Sequence, residues 1–241
     1  MKICVVQTWP VKGDVAQNVA AHERFVALAV DKGAAMVVFP ELSLTGYEPT
    51  LAAELAMGVD DPRLDGVQAL SDERGVTIGA GIPLATEAGV AIAMVLFQPQ
   101  QPRRTYGKQY LHADEVPFFV PGEGFPVLQT AVSPLALAIC YELSIPAHAE
   151  TAHRHGAGAY VASVSKSAAG VVRAEERMVE IAQQYGMPVL MANNVGPSDD
   201  FVGGGKTAVW NRHGILLEQL DATSEGFIIY DTMMEQVVVG G

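Results

Sequence analysis

The chain has 241 residues, 49% hydrophobic and 17% charged, which is enough for one domain with a substantial core. Its formal net charge of −12 argues against nucleic acid and anionic membrane surfaces as main partners. No apolar run reaches membrane-spanning length, the apolar start is too short for a signal peptide, and two distant cysteines make no disulfide framework, so a reducing cytoplasm is the expected location.

Strands and helices alternate along the first half of the chain. Residues 3–7 predict a buried strand, and a helix with one apolar side is predicted from Asp14 or Gln17 to Lys32. The other elements predicted for this half are a strand at 36–39, a helix at 61–75, and strands at 76–80, 90–97 and 103–106.

The second half continues the alternation and ends in strands. Strands are predicted at 126–130 and 135–139, followed by a helix that begins at 145 or 146 and ends at 155. The remaining predicted elements are a strand at 159–164, a helix at 171–185, and strands at 188–192, 207–211, 214–219 and 226–231. There is no internal repeat or linker, so one α/β domain over residues 1–241 is expected.

A carboxylate follows the strand predicted at 36–39. That strand ends at Pro40, and Glu41 comes next. Because proline cannot continue a hydrogen-bonded ladder, the chain must leave the sheet there. Glu41 is therefore predicted at the carboxyl end of a strand, where open α/β sheets build their sites. An ordinary solvated loop glutamate is the alternative interpretation of this segment taken alone.

A lysine between two tyrosines follows the strand predicted at 103–106. Lys108 comes after Gly107 and is flanked by Tyr106 and Tyr110, and a loop rich in aromatic residues, proline and glycine follows it. Such surroundings can partly desolvate an ammonium and aim it at an anion. A surface lysine is the alternative.

A cysteine closes the apolar run that starts at Pro134. Cys140 is followed by Tyr141 and Glu142, which predicts a buried strand that delivers a thiol to a sharp strand-to-helix turn. A thiolate at such a turn is a candidate nucleophile. A small buried hydrophobic residue is the alternative, and the cysteine alone would not exclude it.

Taken in chain order, these three segments resemble the nitrilase superfamily of carbon–nitrogen hydrolases. That family has a strand ending in Pro-Glu, a lysine followed by an aromatic-x-Pro-Gly stretch, and a cysteine followed by an aromatic and an acidic residue. The matching segments here are Pro40-Glu41, Lys108 with residues 118–122, and Cys140-Tyr141-Glu142. Residues 205–214 resemble the family's late Gly-x-Ser/Thr strand and glycine turn, so the resemblance spans nearly the whole chain.

The resemblance implies a fold and a reaction. The fold is a single-domain, four-layer α-β-β-α sandwich of two mixed sheets with outer helices. The reaction is hydrolysis of a non-peptide C–N bond in a small-molecule amide or carbamoyl compound, through a thioester and without a metal or organic cofactor. Cys140 would be the nucleophile and Glu41 the general base, while Lys108 and the backbone N–H of Tyr141 would hold the oxyanion. Glu115 would be a second glutamate that helps position the substrate and proton transfer.

The residues that contact the substrate are less clearly marked. Tyr47 and Phe118 are expected at the entrance and Tyr141 beside the nucleophile, where true nitrilases usually carry tryptophan; this favours an amide or carbamoyl compound. Lys166 follows a strand expected to point into the pocket, and either pairs with a substrate carboxylate or is a solvated loop lysine. Residues 179–185 lack the arginine and the Glu-Asn pair common in the family, which indicates a divergent branch and leaves the substrate class open.

Other functions of the same fold remain open at this point. They are nitrile hydrolysis, acyl transfer to an amine, and a catalytically silent binding module. Family members usually pair through helices near the nucleophile, so a homodimer or larger homo-oligomer that uses the helix at 145–155 is expected.

Three further motifs do not predict a site. The segment 202–207 ends like a phosphate-binding loop, but Asp200 stands in place of its first glycine and a strand follows. Residues 79–84 lack the third glycine of a dinucleotide fingerprint. A group of histidines without zinc-pair spacing is interpreted as a solvated helix end: His148, His153 and His155.

Overall fold

The computed structural model describes residues 1–241 and contains fourteen strands. In chain order the strands are β1 (Lys2–Gln7), β2 (Met36–Val38), β3 (Thr77–Thr86), β4 (Gly89–Phe97), β5 (Arg104–Gly107), β6 (Leu135–Ile139), β7 (Ala159–Ser163), β8 (Val189–Ala192), β9 (Val195–Ser198), β10 (Phe201–Gly204), β11 (Ala208–Trp210), β12 (Leu216–Gln219), β13 (Gly226–Asp231) and β14 (Gln236–Gly240).

The strands form two mixed sheets and one hairpin. The first sheet has the order β14-β13-β1-β2-β3-β4-β5, and the second has the order β12-β11-β8-β7-β6. The parallel strands are β1 to β3 in one sheet and β6 to β8 in the other, and all other neighbours are antiparallel. β9 and β10 form a separate two-stranded sheet, and Gly203 of β10 makes an isolated bridge to Ser167.

Five α-helices connect or cover these strands. They are α1 (Val15–Asp31), α2 (Ala52–Leu55), α3 (Asp65–Arg74), α4 (Pro146–Arg154) and α5 (Ala168–Tyr185). Short 3₁₀ turns lie at Pro49–Leu51, Pro62–Leu64 and Cys140–Ser144. None of the helices combines the length and the hydropathy that crossing a membrane requires.

Alternation along the strands separates three apolar cores. In β1, Ile3 packs in the core between the two sheets, whereas its neighbour Cys4 packs in the core beneath α1 and α3. In β6, Leu137 belongs to the core between the sheets and Ala138 to the core beneath α4 and α5. The layers are therefore helices, sheet, sheet and helices, which confirms the four-layer α-β-β-α sandwich.

Most predicted elements are present, although their bounds differ from the predicted ones. The structure departs from the prediction in three segments. The strand predicted at 126–130 is wrong: only Leu128 pairs, with Leu135, because Pro126 has no N–H to donate and a turn follows at once. The β9–β10 hairpin and β14 were not predicted. Glycine and proline occupy much of β9 and β10, so that segment lacks the β-branched and aromatic residues that mark a strand.

The two sheets meet at the carboxyl ends of their parallel strands. The Ser163 hydroxyl at the end of β7 donates to the carbonyl of Phe39, which follows β2, at 2.7 Å. Glu41 also follows β2, and Cys140 follows β6 directly. The packing of the sheets therefore brings two chain segments about 100 residues apart to the same edge.

Candidate active site

The segment that carries Glu41 is a tight turn packed against β3. Leu42 adopts a left-handed backbone conformation with φ of 52°, and the backbone N–H of Leu44 donates to the carbonyl of Gly81 at 3.0 Å. A Cβ at position 81 would lie 2.8 Å from the Pro40 carbonyl oxygen, so only glycine permits this approach. The turn fixes the backbone from which the Glu41 side chain extends.

A buried histidine supports this turn from α1. His22 stacks on Phe39 with ring centroids 3.8 Å apart, and its Nε2 lies 2.9 Å from the Ser43 hydroxyl. Its Nδ1 lies 2.7 Å from the carbonyl oxygen of Asn18, which fixes Nδ1 as the donor and Nε2 as the acceptor. Burial lowers the pKa of His22 to about 4, so the ring is neutral.

Lys108 leaves the end of β5 at a close crossing of two chain segments. Its backbone N–H donates to Ile92 at 2.8 Å, and its carbonyl accepts from the N–H of Gly122 at 2.7 Å. A Cβ on Gly107 would lie 2.8 Å from the Cα of Gly122, so the loop after Lys108 folds back onto the strand only because both residues are glycine. The lysine side chain is completely buried.

The Lys108 ammonium lies between two carboxylates. Nζ is 2.8 Å from Glu41 Oε1 and 2.5 Å from Glu115 Oε1, and none of the three side chains is more than 2% exposed. Burial alone would lower the pKa of Lys108, but the charges of Glu41, Cys140 and Glu115 outweigh it and raise the pKa, so the lysine stays cationic.

The two carboxylates have different surroundings. Glu115 accepts additional hydrogen bonds from the Tyr47 hydroxyl at 3.0 Å and from the His112 backbone N–H at 2.8 Å. Glu41 Oε2 is buried and has no hydrogen-bond partner. Burial raises the pKa of Glu41, Lys108 opposes the shift and Glu115 adds to it. Glu41 therefore has an oxygen that can receive a proton.

Cys140 stands at the first position of the 3₁₀ turn after β6, in a left-handed conformation with φ of 43°. A residue with a Cβ adopts this conformation only under constraint, and such strain is common at nucleophile turns. Burial and the charge of Glu41 raise the pKa of Cys140 to about 11, and the charges of Lys166 and Lys108 oppose them. The free thiol is thus protonated at neutral pH and needs a base.

Glu142 connects the cysteine turn to the lysine strand. Its Oε1 accepts from the backbone N–H of Gln109 at 2.7 Å, and its Oε2 accepts from the backbone N–H of Ile139 at 2.8 Å. Oε2 also accepts from the hydroxyl of Tyr106 at 2.8 Å. Sequence reasoning used Glu142 only as part of a motif, but this side chain ties the residues before Cys140 to those on both sides of Lys108.

One of the three clustered histidines belongs to the same network. The sequence predicts His148 at a solvated helix end, and this prediction is wrong: its side chain is 8% exposed, and its ring nitrogens lie 2.8 Å from the hydroxyls of Tyr106 and Tyr160. Burial lowers its pKa to about 4. His153 and His155 are exposed, as expected.

A cavity of about 410 Å³ opens onto the thiol. Cys140 and Glu115 line it together with all four residues predicted to contact a substrate: Tyr47, Phe118, Tyr141 and Lys166. Sequence reasoning missed a wall made by the turn of the β9–β10 hairpin, Asp199 to Phe201, because the hairpin itself was not predicted. No group of three His, Cys, Asp or Glu side chains is placed to hold a metal ion.

The sequence also matches a known family. Residues 2–238 match the family described as carbon-nitrogen hydrolase. The chain belongs to the carbon–nitrogen hydrolases. Relatives of this hydrolase include a probable nitrilase from Schizosaccharomyces pombe, 25% identical over 95% of this chain and 87% of the relative. An (R)-stereoselective amidase from a Pseudomonas species is 26% identical over 85% of this chain and 76% of the relative.

Solved structures confirm the fold of this hydrolase. A variant of the amidase from Nesterenkonia sp. AN1, with acrylamide added at its active-site cysteine, superimposes with a TM-score of 0.86 and 23% identity over 96% of this chain and 92% of the amidase. Another variant of that amidase, in complex with butyramide, gives a TM-score of 0.85 and 23% identity over 95% and 89% of the two chains.

The arrangement places a cysteine at the cavity of this carbon–nitrogen hydrolase and a buried charge cluster behind it. Cys140 and Glu115 line the cavity, whereas Glu41 and Lys108 lie behind this lining and connect to it through the Lys108–Glu115 ion pair. A buried cation such as Lys108 can stabilise negative charge that develops near it. Glu41 keeps one oxygen free of protein donors, and a thiol such as that of Cys140 can attack a carbonyl carbon.

Proposed function

We propose that this carbon–nitrogen hydrolase cleaves the C–N bond of a small-molecule amide or carbamoyl compound, with Cys140 as nucleophile and a thioester as intermediate. The observation that supports this most directly is the buried Lys108 ammonium, paired with Glu41 and Glu115 beside the cavity that contains the Cys140 thiol. A buried charge cluster of this kind costs desolvation energy, and packing alone would not require it.

The first half of the reaction forms the thioester. The Glu41 carboxylate takes the thiol proton as the sulfur of Cys140 attacks the substrate carbon, and the carbonyl π electrons move to oxygen. Lys108 and the backbone N–H of Tyr141 stabilise this oxyanion, and losing one such donor typically slows the reaction about 100- to 1,000-fold. Glu41 then gives its proton to the nitrogen, the C–N bond breaks, and ammonia or an amine departs.

The second half regenerates the thiol. Glu41 takes a proton from water, the resulting hydroxide attacks the thioester carbon, and the C–S bond breaks to release a carboxylic acid. The sulfur leaves as a thiolate and recovers its proton from Glu41. Glu115 keeps Lys108 in place and anchors Tyr47 at the cavity, which is a positioning role. Tyr47, Phe118 and Tyr141 form the walls that hold the substrate.

One feature of the sequence favours an amide over a nitrile. Tyr141 follows the proposed nucleophile where true nitrilases usually carry tryptophan. The relatives do not decide between the two, because one is a probable nitrilase and another is an amidase. Nitrile hydrolysis would use the same thiol attack, so nitriles belong in the same test.

Ammonia release across a panel tests the proposal. The panel contains short aliphatic amides, ω-amides, carbamoyl amines and nitriles, and Cys140→Ala is assayed beside the wild type, with Cys4→Ala as the matched control because Cys4 is buried away from the cavity. Release from one class that Cys140→Ala abolishes and Cys4→Ala retains would support the hydrolase and name the class. No release from any compound, together with slow alkylation of Cys140, would instead favour a binding module.

The same thioester can pass its acyl group to an amine instead of water. Adding hydroxylamine to the assay distinguishes the two outcomes, because it converts the intermediate to a hydroxamate in competition with hydrolysis. A product that is almost entirely hydroxamate at low hydroxylamine would make acyl transfer the better assignment.

The assembly and the location of the protein stay predictions. We propose a homodimer or larger homo-oligomer that pairs through α4, the helix that follows the cysteine turn. Light scattering that gives a mass near the 25.5 kDa of one chain would contradict it. The proposal of a cytoplasmic location rests only on the two unpaired thiols. The proposed chemistry requires no metal or organic cofactor.

A further inference from the structure

The charges around the active-site cavity are distributed unevenly. Four carboxylates line it: Glu115, which is paired with Lys108, together with Asp114 from the same loop and Asp199 and Asp200 from the β9–β10 turn. Desolvation and then the charge of Asp200 raise the pKa of Asp199, because like charges repel one another. Asp114, Asp199 and Asp200 would repel an anionic part of a substrate.

A smaller side cavity of about 200 Å³ adjoins the main one. The two share four lining residues, which are His112, Tyr141, Lys166 and Gly170. The side cavity adds Arg173 and Arg177, four residues apart on α5, and no carboxylate lines it. Three of the chain's 15 lysines and arginines therefore surround one small space in a protein whose net charge is −12.

These cations have few partners of their own. Lys166 hydrogen-bonds to the Asn193 side chain only through its backbone, and the charged groups of Lys166 and Arg173 form no ion pair or hydrogen bond. Arg177 donates through Nε to the carbonyl of Leu143 at 2.9 Å and through Nη1 to Glu180 at 2.8 Å, but its Nη2 is buried and has no partner. A buried donor without an acceptor carries a desolvation cost that a bound anion would remove.

We propose that the side cavity binds a carboxylate at the end of the substrate remote from the scissile amide, with Lys166, Arg173 and Arg177 as its donors. This rests on the proposed amide hydrolysis at Cys140. The planar guanidinium groups suit a carboxylate because they can donate two parallel hydrogen bonds. Lys166 and Tyr141 line both cavities, so a substrate with its amide at Cys140 can extend its far end between them. The substrate class is therefore an amide or carbamoyl compound with a carboxylate tail.

Pairs of substrates of equal length test this directly. The monoamides succinamate, glutaramate and adipamate are compared with succinamide, glutaramide and adipamide, which replace the tail carboxylate by a neutral amide. We expect kcat/KM for at least one monoamide to exceed that of its diamide by about 10- to 100-fold, the range for hydrogen bonds to a charged group, and the ratio to fall with added salt. Equal values for all three pairs would overturn the proposal.

Variants assign the preference to the side cavity. The Arg173 side chain is exposed and has no ion-pair or hydrogen-bond partner in the fold. Arg173→Gln should therefore lower the monoamide-to-diamide ratio about tenfold or more. Arg154→Gln, an exposed arginine at the end of α4 outside both cavities, removes the same charge and should leave the ratio unchanged. A ratio that drops equally in both variants would assign the preference to net charge instead and overturn the subsite.

A binding readout separates this proposal from the hydrolase proposal. Glutarate carries the carboxylate without a scissile bond, and it should slow alkylation of Cys140 by iodoacetamide in the wild type but less so in Arg173→Gln. If no amide is hydrolysed and glutarate still protects in this pattern, the hydrolase assignment fails and the anion subsite stands. If neutral amides are hydrolysed and glutarate gives no protection, the hydrolase stands and the subsite fails.

Discussion

Glu41 and Glu115 share the ammonium of Lys108, but only Glu41 keeps a carboxylate oxygen without a donor. Glu115 accepts hydrogen bonds from the Lys108 ammonium, from the Tyr47 hydroxyl and from the backbone N–H of His112. Two carboxylates that contact one cation can thus have separate tasks, because their other neighbours differ. In the proposed mechanism the free oxygen lets Glu41 move protons, whereas Glu115, held by three donors, keeps Lys108 and Tyr47 in position.

Removing the charge of Glu41 should separate thiol reactivity from turnover. Glu41→Gln is expected to lower amide hydrolysis by about 100- to 10,000-fold, since general base catalysis is lost. It should also speed iodoacetamide alkylation of Cys140 at neutral pH, because the Glu41 charge is the largest charge effect that raises the pKa of this thiol to about 11.

The comparison uses alkylation rates measured from pH 6 to pH 10, a range that ends about a unit below the pKa of the Cys140 thiol, with Glu87→Gln on an exposed turn as the control. Alkylation that slows in Glu41→Gln would show that Glu41 assists even this reaction as a base, and the separation of the two effects would be wrong.

Lys108 should be required for folding as well as for chemistry. Lys108→Met leaves two buried carboxylates next to each other without a cation, and we expect the free energy of unfolding to fall by about 3–5 kcal/mol. The double variant Lys108→Met with Glu41→Gln should lose less than the sum of the two single losses, because it removes one of the two carboxylates that Lys108→Met leaves without a cation. Urea unfolding measures all three variants, and additive losses would contradict a direct interaction.

Glu142 should affect the rate more than the binding of substrate. Glu142→Gln keeps the size of the side chain but sets an amide N–H₂ group against donors of Ile139, Gln109 or Tyr106, so the cysteine turn and the lysine strand lose their shared anchor. We expect kcat to fall about tenfold or more with KM nearly unchanged, and the free energy of unfolding to fall by about 1–3 kcal/mol.

Tyr106→Phe removes only one of the three donors to Glu142 and serves as the milder comparison. It should keep most of the activity that Glu142→Gln loses. A Glu142→Gln variant that loses stability but keeps its kcat would show that the network supports the fold and does not position the site.

The buried histidines should make the fold sensitive to acid. The pKa of His22 is about 4 in the folded protein, below the 6.5 of a free histidine, so the unfolded chain binds more protons between these values. Its contribution to stability is present above pH 6.5 and is lost as the pH falls towards 4, by on the order of 3 kcal/mol in total. Unfolding measured in urea at several pH values should show a steeper decline for the wild type than for His22→Gln; equal slopes would contradict it.

The candidate reactive residues could be predicted from the sequence because each one follows a local pattern that marks the end of a strand. Pro40 ends a strand just before Glu41, and the apolar run before Cys140 ends at the thiol itself. The sandwich could be expected only through the family resemblance, because strand alternation indicates buried faces but not which faces meet.

The walls of the cavity could not be predicted in the same way. Asp199 and Asp200 lie in a hairpin turn whose flanking strands are rich in glycine, and nothing local marks Phe201 as a cavity residue. Arg173 and Arg177 share a helix face by their spacing of four, but only the packing of α5 against the cysteine turn brings that face to the cavity.

The Ser163–Phe39 hydrogen bond joins two sheets that carry different reactive groups. Glu41 and Lys108 extend from the seven-stranded sheet and Cys140 from the five-stranded one, so no half of the molecule holds a complete site. The catalytic rate should therefore depend strongly on how the two sheets pack against each other. On gentle heating or in mild denaturant, a shift of about 1 Å between the sheets would lower the activity about 100-fold while the circular dichroism spectrum still looked native.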